Sequence, residues 1–283
     1  MQERGDIYRI SKKRGSGVNM LRRLYIEDHD HVLTLFHGKE LDFGFLLNEL
    51  LANRYGGEKL KVYGEFEEGN LVSILINNGL NISYFSNENR DVDIYNKILS
   101  AASYTKISGV HDMIEPFKSS LKIKEDVSSY LGYIQHVLVD PNSTNTQIHT
   151  LQSAEEWNQL YDLLASTTEF SSVLPSSKST YISQQLLLIN DTTTRTCSLT
   201  LNGDMVATAS TISEYKKSAI ITGVYTNPLH RGRGFAREVL IQLCLRLLKE
   251  GKVPYFFYNN PKARSLYKTI GMVEVCKWRV LYK

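Results

Sequence analysis

The chain has 283 residues, 42% of them hydrophobic, and a formal net charge of +3; that is apolar material for two ordinary cores and little surplus charge for a polyanion binder. Arg4, Arg9, Lys12, Lys13 and Arg14 set against Glu3 and Asp6 hold the whole surplus; the remaining body balances, and nothing in its composition requires the basic face that a nucleic-acid binder normally shows, so no nucleic-acid partner is expected. Cys197, Cys244 and Cys276 lack C-x-x-C spacing and an even count, which argues against a disulfide framework or a zinc ribbon, and the absence of a signal-type segment or an apolar run of about eighteen residues completes the expectation of a cytoplasmic protein without membrane partners.

Residues 1–20 are poor in apolar side chains and contain Lys12-Lys13-Arg14-Gly15-Ser16-Gly17, a composition that predicts a disordered basic extension. Met20 opens a first strand over Leu21 to Ile26. The run Glu27-Asp28-His29-Asp30-His31 has the composition of a metal site, but adjacent residues point apart and ligands converge from spaced positions, so a solvated loop without metal is expected. Leu41 to Asn53 has helical periodicity; Val62 to Phe66 and Leu71 to Asn77 flank Glu68-Gly69-Asn70 as a hairpin. Ile82 to Phe85 reads as a strand, Val92 to Ser100 as a helix and Tyr104 to Val110 as a strand. The polar turn formers of Asp140 to Thr146 mark a linker, which divides the chain into domains at 21–140 and 148–283 around 141–147.

The second half repeats that order. Ile148 to Leu151 reads as a strand, Ala154 to Ser166 and Thr180 to Leu188 as helices, and Cys197 to Leu201 with Met205 to Ile212 as a hairpin around Asn202-Gly203. The β-branched run Ala219 to Thr226 then meets a turn, Asn227-Pro228-Leu229-His230-Arg231-Gly232-Arg233-Gly234. An amphipathic helix follows from Phe235, with Ala236, Val239, Leu240, Leu243, Cys244, Leu247 and Leu248 as its apolar stripe and Glu238, Gln242 and Arg246 outside it. Gly251 is placed to cap it, and Val253 to Tyr258 forms a strand whose alternating aromatics divide between core and a wall for an apolar acceptor. The expected class is α/β with a mixed sheet, in two like units.

Glycines just before a helix start leave backbone N–H groups open to phosphate oxygens. No Lys-Ser/Thr pair follows Gly234, which excludes a P-loop, and Arg237 stands where a dinucleotide fingerprint needs its third glycine. The remaining pattern, Arg231-x-x-Gly234-x-Ala236 after a strand ending in Val224-Tyr225-Thr226, resembles the pyrophosphate loop of the GCN5-related N-acetyltransferases (GNAT). Asn260-x-x-Ala263-x-x-Leu266-Tyr267 resembles their second signature, followed by Gly271-Met272 where they carry Gly-Phe or Gly-Tyr. The resemblance is closest to tandem members with a glycine acyltransferase-like C-terminal half, and it implies two GNAT-like domains. The first is degenerate, since Ser86 to Asp91 has no glycine and carries Glu88 and Asp91.

The resemblance implies an acetyl-CoA-dependent N-acetyltransferase with an amine acceptor, a small molecule or a peptide. It assigns coenzyme binding to Val224, Tyr225, Thr226, Arg231, Gly232, Arg233, Gly234, Phe235, Ala236, Asn260, Ala263 and Tyr267, and the role of general acid to Tyr267. Asn260 either orients the pantetheine or caps the helix at Pro261, and Tyr267 either donates a proton or packs its ring. A base is missing from Ala219 to Thr226; Glu214, Glu169 and His149 are candidates by approximate position, Glu214 first. That gap leaves open a non-catalytic acyl-CoA sensor, and a loop that reads phosphates and not the acyl chain leaves open a transferase for longer acyl donors.

Overall fold

The structure, a computed structural model, describes residues 7–9, 19–57, 60–139, 147–167, 174–190 and 193–283. Two compact units share the chain: residues 1–131 with 274–283, and residues 132–273.

The first unit begins with β1 (Ile7–Arg9), β2 (Met20–Arg23), α1 (His29–Leu35) and α2 (Gly44–Ala52). Next come β3 (Lys61–Glu67), β4 (Asn70–Asn77), β5 (Asn81–Ser86), α3 (Asn96–Ala101), β6 (Lys106–Val110), α4 (His111–Ile114) and β7 (Glu125–Tyr133). The second unit holds β8 (Gln147–Thr150), α5 (Ala154–Ala165), α6 (Lys178–Asn190), β9 (Thr196–Leu201) and β10 (Asp204–Ile212). It continues with β11 (Ser218–Thr226), α7 (Phe235–Lys249), β12 (Val253–Tyr258) and α8 (Pro261–Thr269), before β13 (Val273–Tyr282).

In unit one the strands lie in the order β1-β2-β3-β4-β5-β6-β13-β7, and in unit two β12-β11-β10-β9-β8. Each has one parallel pair joined through a helix, β5 with β6 and β11 with β12, the connection that a crossover helix permits. Both hairpins turn on left-handed residues, Glu68-Gly69 at φ 50° and 84° and Asn202-Gly203 at 53° and 91°, the geometry that two-residue turns need. Ser153 starts α5 by accepting from the Glu156 N–H while Glu156 reaches back to the Ser153 N–H, a reciprocal cap worth on the order of 1 kcal/mol.

Several expectations are corrected by tertiary pairing. The division at 141–147 treats each half as contiguous, whereas β13 finds its partners in unit one: Leu281 lies opposite Ile107, Trp278 opposite Val110, and Arg279 bonds Asp126 at 2.8 Å. The chain leaving β7 does the reverse, the Ile134 N–H bonding the Pro254 carbonyl at 3.0 Å. The linker at 140–146 lies outside the described residues, as does most of the extension at 1–20; within that extension, however, Ile7–Arg9 pairs with β2. The segment expected as a solvated loop at 27–31 is helical, because the buried Asp28 carboxylate accepts from the Tyr25 N–H at 3.0 Å and from both nitrogens of the Arg22 fork at 2.9 and 2.6 Å. Glu238 is buried rather than outside the stripe. On β12, Tyr255, Phe256 and Tyr258 are buried and Phe257 is half-buried, so both faces of the strand contribute to the core, as those of a central parallel strand do, and the expected division into one core face and one wall does not hold.

Candidate active site

Parallel pairing of β11 with β12 runs from Ser218–Val253 to Ile221–Phe256 and stops there, although β11 continues to Thr226 and β12 to Tyr258. The strands part just where β11 carries a bulge: its register against β10 shifts between Thr208 and Ser210, and Gly223 has φ 59°. Beyond it, β11 has no strand partner on the β12 side, so backbone groups face a cleft instead of a ladder. This cleft of about 510 Å³ is lined by Val224, Tyr225 and Thr226 from β11, by Arg231, Gly232 and Ala236, and by Asn260 at the cap of α8 with Ala263, Leu266 and Tyr267 from that helix. Gly223 is a site determinant that the sequence reading missed, though an isolated glycine within a β-branched run is the usual mark of a bulge.

One end of the cleft is built by the turn. Asn227 accepts from the Leu229 N–H and caps a short 3-10 turn at Pro228–His230. Gly232 and Gly234 follow at φ 78° and 82°, and Gly234 stands at the N-cap of α7 without a side-chain cap. The first-turn N–H groups of α7 thus keep their demand for an acceptor, together with the positive end of a 15-residue helix. An added Cβ on either glycine meets nothing within 4 Å; it is the left-handed backbone that requires glycine, and the space above it is open. A smaller lobe of about 240 Å³, lined by His230, Gly234, Phe235 and Arg237, joins the cleft through Thr226, Arg231, Gly232 and Ala236. These nitrogen-rich walls, with Lys262 in addition, contain no carboxylate, a donor set suited to a polyanion.

The other end is built by α8. Asn260 accepts from the Lys262 N–H at 2.9 Å and Pro261 occupies the first helical position, so capping is one role that Asn260 performs. Ala263, Leu266 and Tyr267 share one helix face through their three- and four-residue spacing. Gly271 stops the helix at φ 106°, where an added Cβ would lie 2.5 Å from the His136 carbonyl. Tyr267 packs against Phe256 and Tyr258, ring centroids 4.7 and 5.6 Å away. Burial, with Cys244 beside it, pushes its phenol up to about 12.

Of the residues expected to bind coenzyme, only Arg233 does not line the cleft; its guanidinium lies over the Phe235 ring at 4.8 Å. Arg231 folds back, its Nε–H donating to the Thr226 carbonyl at 3.1 Å. The base candidates fare worse. Glu214 accepts from Arg195 at 2.7 Å through each oxygen, from Lys252 at 2.8 Å and from Thr211 at 2.5 Å, with its side chain 1% exposed. Burial raises its pKa, but the hydrogen bonds from Arg195, Lys252 and Thr211 outweigh that and hold it below the usual range. A carboxylate so occupied is a poor proton acceptor, and Glu214 is corrected from base to anchor. His149 sits on the edge strand β8, 2.7 Å from Glu156, and Glu169 lies outside the described residues.

Among known proteins, the GNAT acetyltransferase family model matches residues 194–281. No curated protein matches the sequence. Solved structures similar in fold include a Drosophila protein, at 13% identity over 93% of this chain and 98% of that one with a TM-score of 0.60. A GCN5-related N-acetyltransferase-like protein from Streptococcus suis is 13% identical over 92% of this chain and all of that one, TM-score 0.56. A tandem GNAT protein of the clavulanic acid biosynthesis pathway is 11% identical over 94% and 98%, TM-score 0.55. The family model thus covers the part of the chain that builds the cleft, and the solved structures share the fold over nearly the whole of it, including a protein of tandem GNAT architecture.

Proposed function

We propose that the second unit binds acetyl-CoA and passes the acetyl group to a primary amine by direct attack within a ternary complex, in a cytoplasmic setting. The observation that supports this is the cleft at the parting of β11 and β12, with an uncapped helix start at one end and a buried phenol at the other. The diphosphate would lie over Gly232 and Gly234, against the α7 N–H groups and the basic rim. The amides of the pantetheine arm would pair with the β11 edge at Val224 and Thr226 as an added strand, the Arg231 guanidinium giving up the Thr226 carbonyl that it holds.

In the reaction the neutral amine nitrogen attacks the thioester carbonyl carbon, the C–S bond breaks, and the thiolate departs while the nitrogen loses a proton. With its pKa near 12, Tyr267 stays protonated at working pH. Full transfer of that proton to a thiolate of ordinary pKa, about 8.5, would be uphill by about 3.5 units, on the order of 5 kcal/mol. Tyr267 therefore acts by donating a hydrogen bond to the departing sulfur, and the proton that finally rests there comes by relay from the amine. Among the described residues no carboxylate lines the cleft, which favours an amine that arrives neutral or gives its proton to water. The same absence favours the second reading, a non-catalytic acyl-CoA sensor; a longer acyl donor fits as well, because the loop faces phosphates and not the acyl chain.

Turnover of acetyl-CoA against a panel of primary amines separates transferase from sensor: product with at least one amine is expected, and binding without turnover of any acyl-CoA would establish the sensor. Gly234→Val should weaken CoA by at least about 10-fold, through left-handed strain and a side chain in the open space. An unchanged dissociation constant would remove the loop from the assignment.

A further inference from the structure

The edge of β11 that lines the cleft rests on a bulge, and the bulge rests on hydroxyl groups from β10. Thr208 lies opposite Tyr225 and Ser210 opposite Thr222, so Gly223 and Val224 together face Ala209. One extra residue reverses the alternation of side chains beyond it. Thr222 and Tyr225, three positions apart, consequently share the face of Thr208 and Ser210, where an unbroken strand would send Tyr225 to the other side. On that face Tyr225 is buried with Trp157, Tyr181 and Met205, and its neighbours Val224 and Thr226 line the cleft.

Two side chains hold the irregular point. Buried Thr208 donates from Oγ1 to the Gly223 carbonyl at 3.0 Å, satisfying an acceptor that the interrupted ladder would otherwise have bonded. Ser210 fills the space beside Gly223: its Oγ lies 2.9 Å from the position that a Cβ would take, and it shares a 2.8 Å hydrogen bond with Thr196 Oγ1. The phosphate end has separate supports, the Asn227 cap and the left-handed glycines at 232 and 234. The two ends of the cleft are thus set by different residues.

We infer that Thr208 is a positioning residue for the pantetheine arm of the coenzyme: its hydroxyl fixes the bulge at Gly223, and the bulge fixes the backbone of residues 224–226 with which the arm pairs. This rests on the coenzyme reading above. The test uses the full chain with Thr208→Val, which keeps the shape and loses the donor, Thr208→Ser, which keeps the donor, and Thr208→Ala as a second donor-free variant. Calorimetric titration with CoA and with adenosine 3′-phosphate 5′-diphosphate, the phosphate half without the arm, reads the two ends separately. In the Val and Ala variants CoA should weaken about 5-fold, the scale of one neutral hydrogen bond, while the armless nucleotide changes by less than about 2-fold. Thr208→Ser should restore CoA, and amide hydrogen exchange at residues 224–226 of the ligand-free protein should quicken only where the donor is lost. Unchanged CoA affinity, equal weakening of both ligands, or unaltered exchange overturns the inference. If the unaltered protein binds neither ligand, the coenzyme reading itself falls and takes this one with it.

Discussion

Because Tyr267 is buried between Phe256 and Tyr258, its ring belongs to the core while its phenol belongs to the cleft, and packing and chemistry can be separated by one atom. Tyr267→Phe keeps the ring. A donor to the leaving sulfur acts mainly in the transition state, so kcat should fall roughly 10²-fold with CoA affinity nearly intact. The active form is the protonated one and is lost only as pH rises through about 12, so kcat should show no basic limb from this group below about pH 11. Equal turnover by the two proteins would leave Tyr267 a packing residue. The glycines and Asn260 were legible in the sequence because turn and cap geometry restrict residue type locally, whereas Tyr267 came only from the resemblance of its segment to a family signature. The left-handed φ of Gly234 and the cap at Asn260 are requirements that any sequence must meet with few residues. Thr208 left no such mark, since a threonine on a strand is ordinary until its cross-strand partner is known.

At the scale of elements, the start of β9, the end of β10, the end of α7 and the start of β12 are tied by Arg195, Glu214, Glu250 and Lys252. Arg195 bonds Glu214 and Glu250, each at 2.7 Å, and Lys252 bonds the same two carboxylates. Glu214→Gln leaves two cations with one carboxylate between them, and unit two should lose about 3 kcal/mol, the scale for breaking a buried pair. Bonding to Arg195 lowers Glu250 to about 2, and Glu214 also lies below its ordinary value. Depressed carboxylates stabilise fully above their unfolded pKa, about 4.3, and that contribution is lost as pH falls toward about 2. The melting temperature should decline over this window, and less steeply in Glu214→Gln. Identical acid profiles would show the network to be inert. Sequence pattern located most of these helices and strands within a few residues, because α7 and the hairpins carry their own periodicity and turn chemistry. It did not find β7 or α1, whose side chains make sense only against partners distant in sequence.

For the molecule as a whole, two units of like topology differ in what fills the place of the cradle. In unit one the segment after β5 holds Arg90, bonded to Glu65, Glu67 and Glu88 at 3.1, 2.8 and 2.7 Å, its side chain 9% exposed. Phe85, near the end of β5, stacks on Phe36 at 4.1 Å. Ser86 to Asp91 has no glycine, and the three carboxylates gathered on the single cation of Arg90 leave this segment unsuited to phosphate. Titration of the full chain should therefore give one CoA per chain, and Gly234→Val should remove that site without exposing another; a stoichiometry of two would overturn the division. Cutting the chain near residue 140 is no substitute for this experiment, because such a piece lacks β13. The return of β13 to unit one also sets an order of events during synthesis. A ribosome finishes β7 long before it makes residues 273–282, on the order of ten seconds earlier at 5–20 residues per second. Throughout that interval β6 waits with an open edge of exposed amide and carbonyl groups, the surface on which nascent chains pair wrongly. The first unit to emerge is the last to close, and chaperones have more to guard there than in the half proposed to carry the chemistry.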